Sequence, residues 1–275
     1  ILAMLLFKGK RGELFSFLGK YAPFWLSLVC LSIMGPFGVL ARCITVAHGA
    51  FELIWPGASL WLFSLISCAV IFGLSVKKSK IVSLLGSILT PFLLVSLGLV
   101  ACFALFYTEL PAASASGSWS SFKTGIFEGY QTMDLLAAFF FATFIIKHLE
   151  KRFSAADDPA KTIPVFFRAS LIGAGLLALV YAILVTLGAM YAPTLDGLPP
   201  EEMLGEVARQ SLGAFAAPLV CVSVIFACLT TAIVLASLFA DFLEKEVLKN
   251  RINHTTSLGV TLLLAFGIST LEFSG

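Results

Sequence analysis

Charge is scarce in this sequence. Charged residues make up 12% of the 275 and apolar residues 59%, whereas a soluble domain carries about a quarter charged residues. A soluble fold of this length could bury a large core, yet it would still need a charged surface. The shortage therefore excludes an ordinary soluble domain. Histidine is rarer still, with only His48, His148 and His254, at unrelated places. There is no phosphate-binding Gly-Lys loop, no His-Glu-x-x-His, no paired-cysteine metal pattern and no nucleophile elbow, so soluble enzyme chemistry lacks its residues. The net charge of +2 comes without a basic stripe or a basic patch interleaved with aromatics, and no nucleic-acid partner is expected. Cys30, Cys43, Cys68, Cys102, Cys221 and Cys228 lie in apolar runs at irregular spacing. They read as small buried hydrophobes rather than disulfides or zinc ligands. A start methionine and a secretion signal are both missing. The chain opens and closes inside apolar stretches and is expected to be a single transmembrane domain over residues 1–275, incomplete at both ends.

What is present is a series of apolar runs long enough to cross about 30 Å of hydrocarbon as helix. They do not alternate apolar and polar residues as the wall of a membrane barrel does. The expected fold is an all-α polytopic membrane bundle. Residues 1–7 read as the tail of one span, followed by complete spans at about 22–48, 58–76, 81–107, 126–146, 164–191 and 213–240, and a further one from about 256. The loops between them alternate in charge. Lys8, Lys10, Arg11 and Lys20, then Lys77, Lys78 and Lys80, then Lys147, Lys151, Arg152, Lys161 and Arg168, and finally Lys245, Lys249 and Arg251 fall on one side. Lys123 and Arg209 fall on the other, which leaves fifteen basic residues against two, with Arg42 belonging to neither. The positive-inside rule places the rich side in the cytoplasm. In the outer loop 192–212, Pro199 and Pro200 followed by Glu201 and Glu202 predict a short helix, with proline in the first turn and acids at the positive dipole end. Asn253-His254-Thr255 matches a glycosylation acceptor, but it falls on the cytoplasmic side and is read as chance.

Three places break the apolar pattern. In Phe127-Glu128-Gly129-Tyr130-Gln131-Thr132-Met133-Asp134, polar groups enter a span. Asp134 lies roughly 20 Å of helix from the cytoplasmic end, where a carboxylate costs about 2.5–3.5 kcal/mol and faces a cavity or a partner. Gly129 makes local unwinding cheap, and unwound backbone at that depth is tolerated where it lines a site. The competing reading is a helix that starts late, with Asp134 as an ordinary cap. The second place is Ser223, Ala227, Thr230 and Thr231, on one face of a span about 16 Å from its cytoplasmic end. Such a stripe either lets another helix approach closely or offers oxygens to a hard cation. The third is Gly35-Pro36-Phe37, where Pro36 removes a backbone donor and predicts a kink. Beyond it, Arg42 either snorkels to the outer interface or pairs within the membrane. Gly173 and Gly175 read as helix-packing positions.

At these three places the chain resembles the branched-chain amino acid:cation symporter family, the bacterial system II carriers. Gly35-Pro36-Phe37 through Arg42-Cys43-Ile44-Thr45-Val46 matches the family's Gly-Pro-Phe/Leu leading to Arg-x-x-Thr-Val. Gly129 to Asp134 reproduces Gly-Tyr-x-Thr-Met-Asp intact, and Ala227 to Ala232 matches Ala-Cys-Leu-x-Thr-Ala. The resemblance spans the whole chain. Ala41 stands where the family usually has proline, and His48-Gly49 where it often has an aromatic-Glu pair. The family is similar to the amino acid–polyamine–cation superfamily, with the LeuT-like fold of two inverted five-helix repeats. By that analogy the chain runs from the end of the second helix into the ninth. Span 126–146 becomes the discontinuous sixth helix, implying a substrate role for Gly129, Tyr130, Gln131, Thr132 and Asp134. Span 213–240 becomes the eighth, where Ala227, Thr230 and Thr231 match an Ala-x-x-Thr-Ser/Thr sodium pattern. Gly35, Pro36 and Arg42 are then structural or gating residues.

The resemblance implies alternating-access transport of leucine, isoleucine and valine across the bacterial inner membrane, with no cofactor beyond a coupling ion. That ion is Na⁺, or H⁺ with Asp134 titrating. The partners implied are the amino-acid substrate and the lipid bilayer; nothing in the sequence calls for an obligate protein partner. Rival readings are a carrier of another amino acid or small solute in the same superfamily, a non-transporting membrane subunit and, behind these, an intramembrane enzyme.

Overall fold

The computed structural model describes residues 11–52, 54–76, 90–107, 118–154, 162–195, 197–198, 200–212 and 216–271. Among the described residues every regular element is helical: α1 (Arg11–Ser16), α2 (Ala22–Met34), α3 (Val39–Glu52), α4 (Leu60–Ser75), α5 (Thr90–Tyr107), α6 (Ser118–Gln131), α7 (Asp134–Ser154), α8 (Thr162–Met190), α9 (Ala192–Leu195), α10 (Pro200–Leu212), α11 (Ala216–Phe242) and α12 (His254–Thr270). A π-helical turn, Leu243–Val247, follows α11. Lys249 and Asn250 then take positive φ, 48° and 60°, and turn the chain into α12.

Among the described residues three stretches are long and apolar enough to cross a bilayer: Ala22–Glu52, Ile163–Met190 and Val220–Val247. The helix α4 has 16 residues, about 24 Å at 1.5 Å per residue, and falls short of a full span. The expected span at 126–146 is two helices. Its first half, α6, begins at Ser118 rather than near 126, among polar residues between two expected spans. Polar residues do not stop a helix when its backbone hydrogen bonds close internally, and composition alone misses this. Expected spans 164–191 and 213–240 correspond to α8 and α11 within three residues. The expected tail at 1–7 and the start of span 81–107 lie outside the described residues.

The chain divides into two compact units, residues 1–30 with 112–182 and residues 31–111 with 183–275. In the first unit, Ala142, Ile146 and Phe166 form a small core, and Phe15 stacks on Phe139 with ring centroids 5.3 Å apart. Its long helix is strongly apolar yet outward-facing: Leu171 is 67% exposed and Ile172 64%. In water that surface would be an aggregation site, whereas hydrocarbon is its natural solvent.

The second unit is built on α11, whose most extensive packing is against α3, with α4, α5, α10 and α12 also against it. Leu40, Ile71, Ala232, Ile233, Ala236, Ala240, Leu258, Leu262 and Ala265 form one buried cluster. Alanines on α11 let neighbouring helices come close, which replaces a hydrophobic driving force where lipid is the solvent. A second cluster joins Ala101, Leu187, Met190, Tyr191, Leu195 and Val207, seating α10 against α5. The helix α10 begins at Pro200, as the proline–acid pattern predicts. Arg209, one of the two basic residues on the predicted outer side, is bound through Nε and Nη2 to Glu206 at 2.8 and 2.7 Å. That guanidinium holds the Glu206 carboxyl below its ordinary range.

Candidate functional site

The chain breaks between α2 and α3, at the proline motif, and both sides of the break lie in the second unit. Pro36 has no N–H to donate, and the turn is carried by wider hydrogen bonds, Phe37 N to Ser32 O at 3.2 Å and Leu40 N to Gly35 O at 3.1 Å. Glycine is required here by space. A Cβ at Gly35 would lie 2.6 Å from the Leu31 carbonyl and 3.1 Å from the Phe239 ring, and one at Gly38 would collide with the Ile33 carbonyl. The predicted kink is thus a two-helix joint held against α11. Beyond it Arg42, in the first turn of α3, is exposed, and its carbonyl receives the Thr45 hydroxyl at 3.0 Å. His48, where the chain departs from the family pattern, is buried. Its Nε2 lies 2.9 Å from the Ala58 carbonyl and its ring meets Phe63 edge-on, tying the end of α3 to the following turn.

The first unit holds the second break. The helix α6 ends at Gln131, Thr132 and Met133 are non-helical, and Asp134 opens α7. Met133 takes φ 56°, a left-handed conformation that costs a side-chain-bearing residue on the order of 1–2 kcal/mol. Gly129, expected to be where unwinding is cheap, stays helical, and the break falls three residues later. The Thr132 hydroxyl helps to fix it, lying 2.7 Å from the Gly129 carbonyl and 3.1 Å from Asp134 Oδ2. The same Asp134 oxygen accepts a hydrogen bond from the Tyr181 hydroxyl on α8. Asp134 is an acid in the first turn of α7, and it is held beside unwound backbone by the Thr132 and Tyr181 hydroxyls. Tyr130 and Gln131 are not gathered around it; Tyr130 is 76% exposed and Gln131 is exposed as well. Sequence reasoning missed Tyr181. Its only signal is a hydroxyl-bearing ring within the apolar run of α8.

The hydroxyl stripe lies on α11. The Thr230 and Thr231 hydroxyls both donate to the Ala227 carbonyl, at 2.7 and 3.1 Å, which gathers the three predicted ligand oxygens into one turn. Back-bonding of this kind is ordinary for threonine in helices. It also leaves lone pairs on both hydroxyl oxygens, the hard donors that an alkali cation takes. Among the described residues no group of three His, Cys, Asp or Glu side chains could hold a metal ion, and the oxygens gathered at Ala227, Thr230 and Thr231 are neutral. Gly173 and Gly175, read as packing positions, have nothing within 4 Å of where a Cβ would stand, so no described helix approaches them.

Long apolar helices, with a break at a polar motif and hydroxyls gathered in another helix, define a class: a multi-pass helical membrane protein. Residues 1–274 match the family described as branched-chain amino acid transport protein, and the chain belongs to that family, one of membrane transporters rather than enzymes. The resemblance drawn from the three motifs is borne out. A branched-chain amino acid permease BrnQ of Lactobacillus delbrueckii subsp. lactis is 28% identical over 264 residues, covering 92% of this chain and 58% of that protein. The permease of the same name from Bacillus subtilis strain 168 is 30% identical over 219 residues, covering 78% and 49%. The branched-chain amino acid transport system 3 carrier protein of Pseudomonas aeruginosa is 26% identical over 231 residues, covering 82% and 52%. The chain thus spans about half the length of the curated relatives it matches. No solved structure gives a significant match.

Proposed function

We propose that the protein is a secondary carrier of leucine, isoleucine and valine, driven by cation symport across the bacterial cytoplasmic membrane and working by alternating access in a LeuT-like inverted-repeat bundle. The observation that carries this reading is the break at Thr132-Met133 inside the family's most specific motif. Broken helices expose backbone donors and acceptors at membrane depth, and carriers use such ends to hold the charged groups of an amino acid. Gly129, Tyr130, Gln131, Thr132 and Asp134 are the proposed substrate segment. The Ala227 carbonyl with the Thr230 and Thr231 hydroxyls is the proposed Na⁺ site, supported by the convergence of those three oxygens. In that role each hydroxyl turns its hydrogen away from the carbonyl, and all three oxygens face the ion. Gly35 and Pro36 form a joint, and Arg42 lies in the first turn of the helix that follows.

H⁺ is the alternative coupling ion, with Asp134 the carboxylate beside the break. Leucine uptake by the full-length protein in liposomes tests the proposal. Saturable uptake driven by an inward Na⁺ gradient, competed by isoleucine and valine, is expected. Uptake driven only by a proton gradient would move the coupling to Asp134, and no uptake under either gradient would reject the carrier reading.

A further inference from the structure

Two of the six cysteines, far apart in sequence, meet inside the second unit. Cys43 lies on α3 and Cys228 on α11, and both thiols are free. They line one cavity of about 30 Å³, together with Phe63, Ile71, Ile225 and Leu229. Roughly 10–15 Å³ of such volume holds a water molecule, so a molecule the size of hydrogen peroxide fits beside the two sulfurs. The other cysteines are placed differently: the Cys68 thiol points at the Leu262 carbonyl, 3.7 Å away, Cys102 is exposed and Cys221 is buried.

We propose that Cys43 and Cys228 are an oxidisable dithiol, at which a membrane-permeant peroxide closes a disulfide that pins α3 to α11. One sulfur attacks a peroxide oxygen and the O–O bond breaks. Water leaves, taking up the thiol proton, and a sulfenic acid remains. The second sulfur displaces the sulfenic hydroxyl, the S–S bond forms and a second water departs with the second proton. Two thiols and one hydrogen peroxide give one disulfide and two waters, with two electrons passing to the peroxide. The cavity wall formed by Ile225, Cys228 and Leu229 is interleaved along α11 with Ala227, Thr230 and Thr231. Pinning this helix therefore fixes the proposed cation site, a consequence that rests on the carrier reading above.

The test treats membranes containing the full-length protein with hydrogen peroxide, blocks remaining thiols with N-ethylmaleimide and maps peptides without reduction. The expected result is a linked Cys43–Cys228 peptide, reversed by dithiothreitol and absent in Cys43→Ser and in Cys228→Ser. Leucine uptake should fall at least tenfold in the wild type, recover on reduction and stay within twofold in both variants. Peroxide treatment that leaves the two cysteines unlinked, or oxidises each separately, overturns the site. A linked peptide with unchanged uptake overturns the pinning. Absence of leucine uptake before peroxide is a failure of the carrier reading instead, and the peptide map still decides the disulfide.

Discussion

Tyr181 donates its hydroxyl to Asp134 across 47 residues of sequence, and the pair is the residue-scale feature most exposed to experiment. A hydrogen bond of this type, at a partly exposed site, is worth about 1 kcal/mol. Tyr181→Phe should lower unfolding stability by about that amount, and calorimetry of the purified protein checks it. Asp134→Asn keeps an acceptor for the tyrosine but removes the charge. If Na⁺ drives transport, this variant should still respond to a Na⁺ gradient, although its affinity for leucine falls. If uptake in the variant no longer responds to pH while its response to Na⁺ never existed, Asp134 is the proton carrier. The threonines of α11 make the complementary case. Thr231→Val keeps shape and removes one oxygen, and it should raise the Na⁺ concentration for half-maximal uptake roughly tenfold, the effect of about 1.4 kcal/mol. Thr230→Val should act in the same direction. An unchanged ion dependence with altered protein yield would return the stripe to a packing role.

At the scale of elements, the two helix breaks were legible in sequence to different degrees, for a physical reason. Pro36 announces its joint because a missing N–H and a ring clash leave few alternatives. The α6–α7 break is announced by polar residues at membrane depth, but its register is not. Gly129 is the residue best able to unwind, and it remains helical while Met133 takes the left-handed conformation. What fixes the break is a set of contacts, Thr132 to Gly129 and Asp134 to Tyr181, and the second of these comes from a different helix. Motif residues were legible as a set. Tyr181 and the shared cavity of Cys43 and Cys228 were not, since each depends on which faces of two distant helices meet, and His48 was not, since it depends on where the turn after α3 places Ala58 and Phe63.

The glycines give a prediction at this scale. Gly35→Ala forces a Cβ to within 2.6 Å of the Leu31 carbonyl, a backbone atom that cannot swing away, and should cost about 1–3 kcal/mol, the range for overpacking. Gly129→Ala meets open space and should add about 0.8–1.0 kcal/mol to helix α6 through propensity alone. Thermal melts of the two variants should move in opposite directions. A Gly129→Ala protein that is as stable as the wild type yet does not transport would show that the glycine is needed for motion or substrate contact. Equal losses of stability in both variants would contradict the packing described for Gly35.

For the whole molecule, the loop charge bias makes a prediction that does not depend on any single helix. Single cysteines introduced at Lys20 and Lys249 should be protected from a membrane-impermeant maleimide in intact cells, while one at Glu202 on α10 should label. The reverse pattern would invert the orientation. The composition that identified a membrane protein also explains why function needed the family. A bilayer-spanning helix is apolar whatever it transports, so substrate identity lives in a few polar positions. The central claim is that movement of a branched-chain amino acid is tied to movement of a cation. Its most direct test is radioactive sodium entry into liposomes containing the full-length protein, measured on adding external leucine with no imposed gradient. Leucine should drive sodium inward at a fixed ratio to its own entry, and isoleucine and valine should do the same. Leucine entry with no accompanying sodium or proton movement would contradict symport.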